Sequence, residues 1–287
     1  VCQASAIAFL GKKLLPPGAY DEMAYWYGLD PETIPETTRY LESPAIHKIT
    51  SQNNWASIRA VNFHSRPAHA DQLHVDLWWK GYNIAIDPGT YSYNLPTPWD
   101  NTLMGTDVHN TIYIENLHQM NRSGRFLWLD WSLAEVTEVN SNQIISWLHE
   151  YNKLEIQHQR SIQWANKMCF RITDTLISGK ANQYPVNMRL QWTLPDYEIT
   201  RQENKFSVNA PFGKFTLEIE AEAEGKSPAS NIYTVLAGKA DQDDIKVPAY
   251  IGWYSPTYDS KTPCRVIHAC FTETLPIKIT TTWKFSE

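Results

Sequence analysis

Leu73-His74-Val75-Asp76-Leu77-Trp78-Trp79-Lys80-Gly81-Tyr82-Asn83-Ile84-Ala85-Ile86-Asp87-Pro88-Gly89 is the stretch that decides the fold. Apolar and polar residues alternate from Leu73 to Trp79, as in a strand with one buried face. Lys80-Gly81 then offers a two-residue turn, a second apolar run follows from Tyr82 to Ile86, and Pro88-Gly89 ends it, so the segment reads as a β-hairpin. Counting outward from Lys80-Gly81 sets Asp87 opposite His74 on one face of that hairpin.

The same texture recurs along the chain, with turn residues every ten positions or so. Further strands are expected at 111–115, 125–131, 133–139, 143–150, 154–164, 168–177, 186–193, 197–201, 205–209, 214–221, 231–238, 265–272 and 277–284. So many short strands with almost no helix between them imply an all-β fold, a large antiparallel β-sandwich of stacked sheets. No fixed-period repeat is present, which disfavours a propeller or solenoid. Residues 1–45 differ: Ala4 to Leu10 and the run from Asp21 to Tyr27 read as two short helices, followed by a linker containing Pro31, Pro35 and Pro44. The expected organisation is a short N-terminal helical segment over 1–45 and a sandwich domain over 46–287.

Composition bounds what such a fold does. With 43% apolar and 13% aromatic residues, including 12 Trp and 15 Tyr, the 287-residue chain has ample material for a buried core and is not disordered. The net charge is −6 and the longest basic clusters are pairs such as Lys12-Lys13, so nucleic acid is not a partner. No run of 18 apolar residues exists, which excludes a membrane-spanning helix. The chain begins at Val1 without the ordered regions of a signal peptide, and reads as a fragment or processed product whose targeting signal would lie outside it. Four cysteines without C-x-x-C spacing make neither a zinc ribbon nor a redox motif and leave the redox compartment open. The motifs of the common serine hydrolases, P-loop NTPases, dinucleotide-binding enzymes and zinc proteases are missing.

Five of the nine histidines, His64, His69, His74, His109 and His118, crowd into 55 positions that also hold Asp87. Histidines on strands are usually hydrogen-bonding residues, yet imidazole nitrogen and carboxylate oxygen are also the donors that a divalent ion such as zinc prefers. Spacing nominates His74 with Asp87. His69 reaches Asp87 only if the chain bends at the strand entrance or a bulge shifts the register, and the residues alone leave both open.

Three ordered segments add to this: Ala68-His69-Ala70-Asp71-Gln72-Leu73, Asp87-Pro88-Gly89-Thr90-Tyr91-Ser92-Tyr93 and Val108-His109-Asn110-Thr111. With Gly124-Arg125-Phe126-Leu127-Trp128, His158-Gln159-Arg160 and Trp253-Tyr254-Ser255-Pro256, they resemble the heparinase II/III family of polysaccharide lyases from about residue 55 to the end. The resemblance implies an N-terminal α/α toroid followed by a β-sandwich, with residues 1–45 as the tail of the toroid. It implies that His69, Asp87 and His109 bind zinc or another divalent metal in a structural role, with His74 as local competitor. Asp71 and Asn110, next to these ligands, would orient them.

The implied chemistry is β-elimination at a uronic acid. A base removes the C5 proton, an acid protonates the departing glycosidic oxygen, and the carboxylate must be neutralised. Family members draw an Asn or His and a Tyr from the toroid. They also carry a His two residues before the metal-binding one. Here that position is Pro67, which has no proton to exchange; His64 is the nearest upstream candidate, with a surface histidine as the ordinary alternative. Arg66, Arg122 and Arg125 are candidates to pair with carboxylates or sulfates. Tyr91 and Trp99 are candidates to stack on sugar rings from a loop, whereas Trp78, Trp79, Trp128 and Trp131 read chiefly as core.

Two functions are therefore expected. The first is the C-terminal domain of a polysaccharide lyase, inactive alone, whose partners are an acidic polysaccharide or oligosaccharide and the toroid of the same chain, in the periplasm or outside the cell. The second is a carbohydrate-binding or scaffold domain without lyase chemistry.

Overall fold

A computed structural model describes residues 2–11, 13–14, 18–29, 45–179 and 184–286. Residues 1–42 and 43–287 form two compact units. The first holds α1 (Cys2–Leu10), a single 3-10 turn (Ala19–Asp21) and α2 (Glu22–Trp26). Gln3 Nε2 donates to Asp21 Oδ1 at 2.9 Å, and Asp21 Oδ2 accepts the Gly18 N–H at 3.0 Å, so one buried carboxylate ties the two helices together. The linker expected around Pro31, Pro35 and Pro44 lies outside the described residues.

The second unit is built from antiparallel strands. β1 (Ile46–Ser51), β2 (Asn54–Arg59), β3 (Val75–Trp79) and β4 (Tyr82–Ala85) form a four-stranded sheet in that order. β5 (Ile112–Ile114) precedes a short ribbon of β6 (Asn121–Arg122) and β7 (Trp128–Leu129). There follow β8 (Ala134–Val139), β9 (Gln143–Leu148), β10 (Ile156–Asn166), β11 (Cys169–Ser178), β12 (Val186–Pro195), β13 (Glu198–Gln202), β14 (Lys205–Ala210) and β15 (Gly213–Ala223). β16 (Ser230–Leu236), β17 (Lys239–Ala240), β18 (Trp253–Thr257), β19 (Ser260–Glu273) and β20 (Ile277–Phe285) complete the chain. Eight strands pair in the order β13-β14-β15-β20-β11-β10-β9-β8, and β17-β16-β19-β12-β5 form a third sheet with β18 on β19.

A common core joins these layers. It includes Ile49 and Leu77 of the first sheet, Phe170 and Trp283 of the eight-stranded one and Trp192 of the third. Trp192 and Trp283 meet edge to face at 5.4 Å, and Trp192 Nε1 donates to Thr281 Oγ1 at 3.1 Å. Burial of such rings, at about 25 cal/mol per Å2 of apolar surface, is the main term that holds the sheets together. Trp79, Trp128 and Trp164 are also buried, Trp78 stacks on Trp55 at 5.1 Å, and Trp131 stays 44% exposed. Cys169 and Cys264 are buried free thiols, and Cys270 is a free thiol at intermediate depth.

The expected strands match this arrangement except in a few places. Of 125–131 only Trp128–Leu129 pairs, and β1, β2, β6, β17 and β18 are additional. Lys80 and Gly81 both have positive φ, +48° and +83°, as a two-residue hairpin turn requires. Trp79 pairs with Tyr82 and Trp78 with Asn83, but Leu77 pairs with Ala85, so the strand is bulged at Ile84 and the symmetric count stops there. β3 itself begins only at Val75, because Leu73 adopts φ +60° and the chain turns there, with the His74 N–H donating to Asp71 O at 3.1 Å.

Candidate metal centre

Three separate segments bring the candidate ligands together. His69 lies in the loop between β2 and β3, which is pinned by backbone and buried amide contacts. The Ala70 N–H donates to Met104 O at 2.9 Å and Thr106 Oγ1 to Ala70 O at 2.8 Å. Gln72 and Gln119 exchange bonds, Gln72 N–H to Gln119 Oε1 at 2.8 Å and Gln119 Nε2 to Gln72 O at 2.9 Å. Asp87 follows β4, and His109 follows the 3-10 turn Thr106–Val108. Asn110, fully buried, stitches the site to the sheets: Nδ2 donates to Val75 O and Ile86 O, and Oδ1 accepts the Thr193 N–H at 2.7 Å.

At the centre, His69 Nδ1 lies 3.3 Å from His109 Nε2, and that nitrogen lies 3.7 Å from Asp87 Oδ2. His109 Nδ1 is 2.6 Å from Gly105 O. A carbonyl only accepts, so Nδ1 carries the proton and Nε2 presents a lone pair to the centre. His69 Nε2 is 3.2 Å from Thr90 Oγ1, which orients the second ring. Asp87 Oδ1 accepts the Gly89 N–H at 2.7 Å. Gly89 has φ +68°, and a Cβ there would lie 2.3 Å from Ser255 O, so only glycine fits this turn. Ser255 braces the turn in return, its N–H donating to Pro88 O at 2.8 Å and its Oγ to Thr90 O at 3.0 Å.

The histidine pair fits zinc. Zinc–nitrogen bonds of about 2.0–2.1 Å in a tetrahedron set ligand nitrogens roughly 3.4 Å apart, and the two histidine nitrogens are separated by 3.3 Å. Asp87 Oδ2 is near His109 at 3.7 Å and His74 at 3.6 Å, whereas the three donors that all lie within 4.8 Å of one another are those of His69, His109 and Asp71. Asp71 Oδ1 accepts Arg59 Nε at 2.8 Å, however, so its charge already has a counterion. Asp87 meets only histidines among the described ion pairs. Burial drives its carboxyl upward, but His109, His74, His69 and the Gly89 N–H outweigh that and hold it at about 2. Asp76 is pushed up to about 7 by burial and by the negative charge of Asp87. Burial lowers His74 to about 4.

Beside the centre, Arg66, Ala68, His69, Tyr93, Asn101 and Phe126 line a cavity of about 290 Å3. The Arg66 guanidinium donates to Phe126 O. Arg122 turns to the loop, donating to Asp100 O at 2.7 Å, and Arg125 is exposed. Tyr91 and Trp99, with Trp253, box the Lys261 ammonium at 4.7, 4.3 and 5.0 Å, so their faces hold a cation. His64 is exposed and makes none of the contacts described here for the cluster, and Pro67 is buried. Asp71 pairs with Arg59 rather than with a ligand ring, and Asn110 acts chiefly on backbone.

Sequence reasoning did not nominate Tyr93, Asn101, Phe126 and Thr90, nor the full role of Arg160. Arg160 is fully buried and grips Asp174 with Nε at 2.6 Å and Nη2 at 3.0 Å. His158 Nε2 closes on the same carboxylate at 2.6 Å. Arg160 Nη1 reaches Leu73 O at 2.7 Å and Asn110 O at 2.5 Å, the carbonyls just before His74 and just after His109. An arginine inside an alternating strand is the one available signal, since a buried cation requires partners.

The fold resembles several solved structures. A heparan sulfate lyase from Pedobacter heparinus superposes with a TM-score of 0.62 at 15% identity, covering 100% of this chain and 42% of that one. A heparinase III gene product gives 0.64 at 14% identity, covering 92% of this chain and 38% of its own. The chain thus spans about two fifths of the length of these structures. No curated protein sequence is matched. The family described as heparinase II/III-like, C-terminal, matches residues 46–282. On that match over the whole sandwich, the chain belongs to the heparinase II/III-like C-terminal family.

Proposed function

We propose that this chain is the sandwich portion of a polysaccharide lyase that cleaves uronic-acid polysaccharide by β-elimination. The observation that carries the reading is the approach of His69 and His109, with 3.3 Å between their nitrogens and Asp87 Oδ2 3.7 Å from His109 Nε2, beside a cavity that His69 and Arg66 share. These three residues would hold zinc or another divalent ion, which would supply cross-linking of the loops that wall the cavity. The ion is structural in this proposal, because its ligands tie a loop, a strand end and a 3-10 turn together. The chain's own residues then act on the glycan: Arg66 supplies a planar cation to neutralise a carboxylate or sulfate, and Tyr93 and Phe126 supply apolar surface for a sugar ring.

The proton-transferring groups belong, in this proposal, to an α/α toroid of the full-length protein, which works in the periplasm or outside the cell. That the similar solved chains are more than twice as long supports a further domain in the full protein. The test is to incubate the full gene product with heparan, chondroitin, hyaluronan and alginate and to follow the ultraviolet absorbance of the unsaturated product. A rise with one polymer, lost in Arg66→Ala, supports the reading. A flat trace with all four refutes it and favours the second function, a glycan-binding domain, for which Pro67 and the exposure of His64 speak.

A further inference from the structure

We propose that His74 is a positioning residue of this centre, one that donates its Nε2–H to Asp87 and does not ligate the ion. The proposal rests on the reading of His69, Asp87 and His109 as metal ligands. The backbone N–H of Asn110 points at His74 Nδ1 at 3.0 Å. A backbone amide only donates, so Nδ1 must present its lone pair, and the neutral ring keeps its proton on Nε2. Nε2 is buried without a hydrogen-bond partner, 3.6 Å from Asp87 Oδ2 and 3.8 Å from Asp76 Oδ2. A nitrogen that bears a proton has no lone pair for a metal, whereas its N–H can fix a carboxylate that does bind one.

His109 shows the opposite arrangement: Gly105 O takes the proton of Nδ1 and frees Nε2. One short segment, Gly105 to Asn110, therefore assigns the two rings different tautomers, through a carbonyl for the ligand and through an amide for the donor. Asp87 is held from both ends, Oδ1 by the Gly89 N–H at 2.7 Å and Oδ2 beside His74, which leaves its outward lone pairs for the ion. Groups that orient a metal-binding carboxylate in this way typically change metal affinity by about 10- to 100-fold when removed.

Two substitutions separate the roles. Glutamine can set an N–H near the position of Nε2, whereas asparagine reaches only as far as Nδ1. Zinc affinity by calorimetry is expected to fall about tenfold or more in His74→Asn and to stay within about threefold of wild type in His74→Gln. X-ray absorption of the zinc-loaded protein should count two imidazoles in wild type and in His74→Gln. Nitrogen-15 spectra of the wild type, which need no variant to fold, should show His74 protonated on Nε2 both without zinc and with it. Three imidazoles in wild type falling to two in His74→Gln, or a proton on Nδ1 of His74 in the zinc form, overturns the proposal while leaving the metal site standing. Absence of zinc uptake by the wild type instead overturns the metal reading beneath it.

Discussion

Replacing Arg160 by methionine tests whether the buried charge cluster under the candidate metal centre is an energetic unit. Arg160 makes two bonds to Asp174 and one each to Leu73 O and Asn110 O, all in a fully buried setting. Removing one partner of a buried ion pair costs about 3–5 kcal/mol, because the remaining charge stays in a medium that solvates it poorly. Two orphaned carbonyls add roughly 1 kcal/mol each. The expected loss is about 5–7 kcal/mol, against a total stability on the order of 5–15 kcal/mol for a folded domain. With a urea dependence of about 3 kcal/mol per molar, the unfolding midpoint should drop by roughly 2 M. In Arg160→Met/Asp174→Leu the stranded carboxylate is gone, and roughly half of the loss should return. The two carbonyls still lack a donor there, so zinc affinity should remain reduced even where stability recovers. Urea unfolding followed by tryptophan fluorescence measures the first quantity and calorimetry the second. A single variant within about 1 kcal/mol of wild type, or a double variant no more stable than the single, refutes the account of the cluster as an obligate ion pair.

Three other expectations concern the turn, the ion and acid. Gly89→Ala adds a Cβ 2.3 Å from Ser255 O at φ +68°; left-handed strain alone costs about 1–2 kcal/mol, so both thermal stability and zinc affinity should fall, and an unchanged melting temperature would contradict the close packing of β18 on this turn. If zinc binds, free metal at a hundred times its dissociation constant adds about 2.7 kcal/mol, and a chelator should lower the melting temperature by roughly 5–10 °C, which differential scanning calorimetry reads directly. Acid should destabilise the fold in two steps. Burial lowers the pKa of His158, against the pull of Asp174, and lowers that of His268 far below its ordinary value. Below about pH 6.5 the unfolded chain therefore binds protons that the folded one refuses, and stability should fall by up to roughly 2–3 kcal/mol per pH unit. Burial raises Asp174, but Arg160 and His158 outweigh it and hold the carboxyl low, so its contribution is present above about pH 3.9 and lost below. Equal melting temperatures at pH 7 and pH 5 would contradict the first step.

The sheets were legible because alternation survives wherever one face is buried, as from Ile156 to Trp164, where buried and half-buried residues alternate without a break. The turn Lys80-Gly81 was legible for the same local reason. β1 and β2 were not, since Lys48 and Ser57 interrupt the apolar runs on either side of the Gln52-Asn53 turn. The register beyond Asn83 was not legible either: a bulge inserts one residue without marking itself in the alternation, and only the bend at Leu73 brings His69 and His74 to the same centre. The candidate ligands were found through the order of three short motifs. Which histidine can bind and which can only donate depends on whether a carbonyl or an amide faces the ring, and side-chain sequence carries no trace of that.

The eight-stranded sheet ends in β13 on one side and β8 on the other. Both outer strands are short and polar: Glu198, Arg201 and Gln202 are exposed on one, Glu135 and Glu138 on the other, and β8 is bulged between Val136 and Glu138. A broad sheet would otherwise offer its free backbone as a template to any extended peptide. Charge and a local twist make each border a poor seat for a further strand, so growth of the sheet is self-limiting, and the segment most open to recruitment under partial unfolding is the apolar interior that β9 and β14 uncover once those borders peel away.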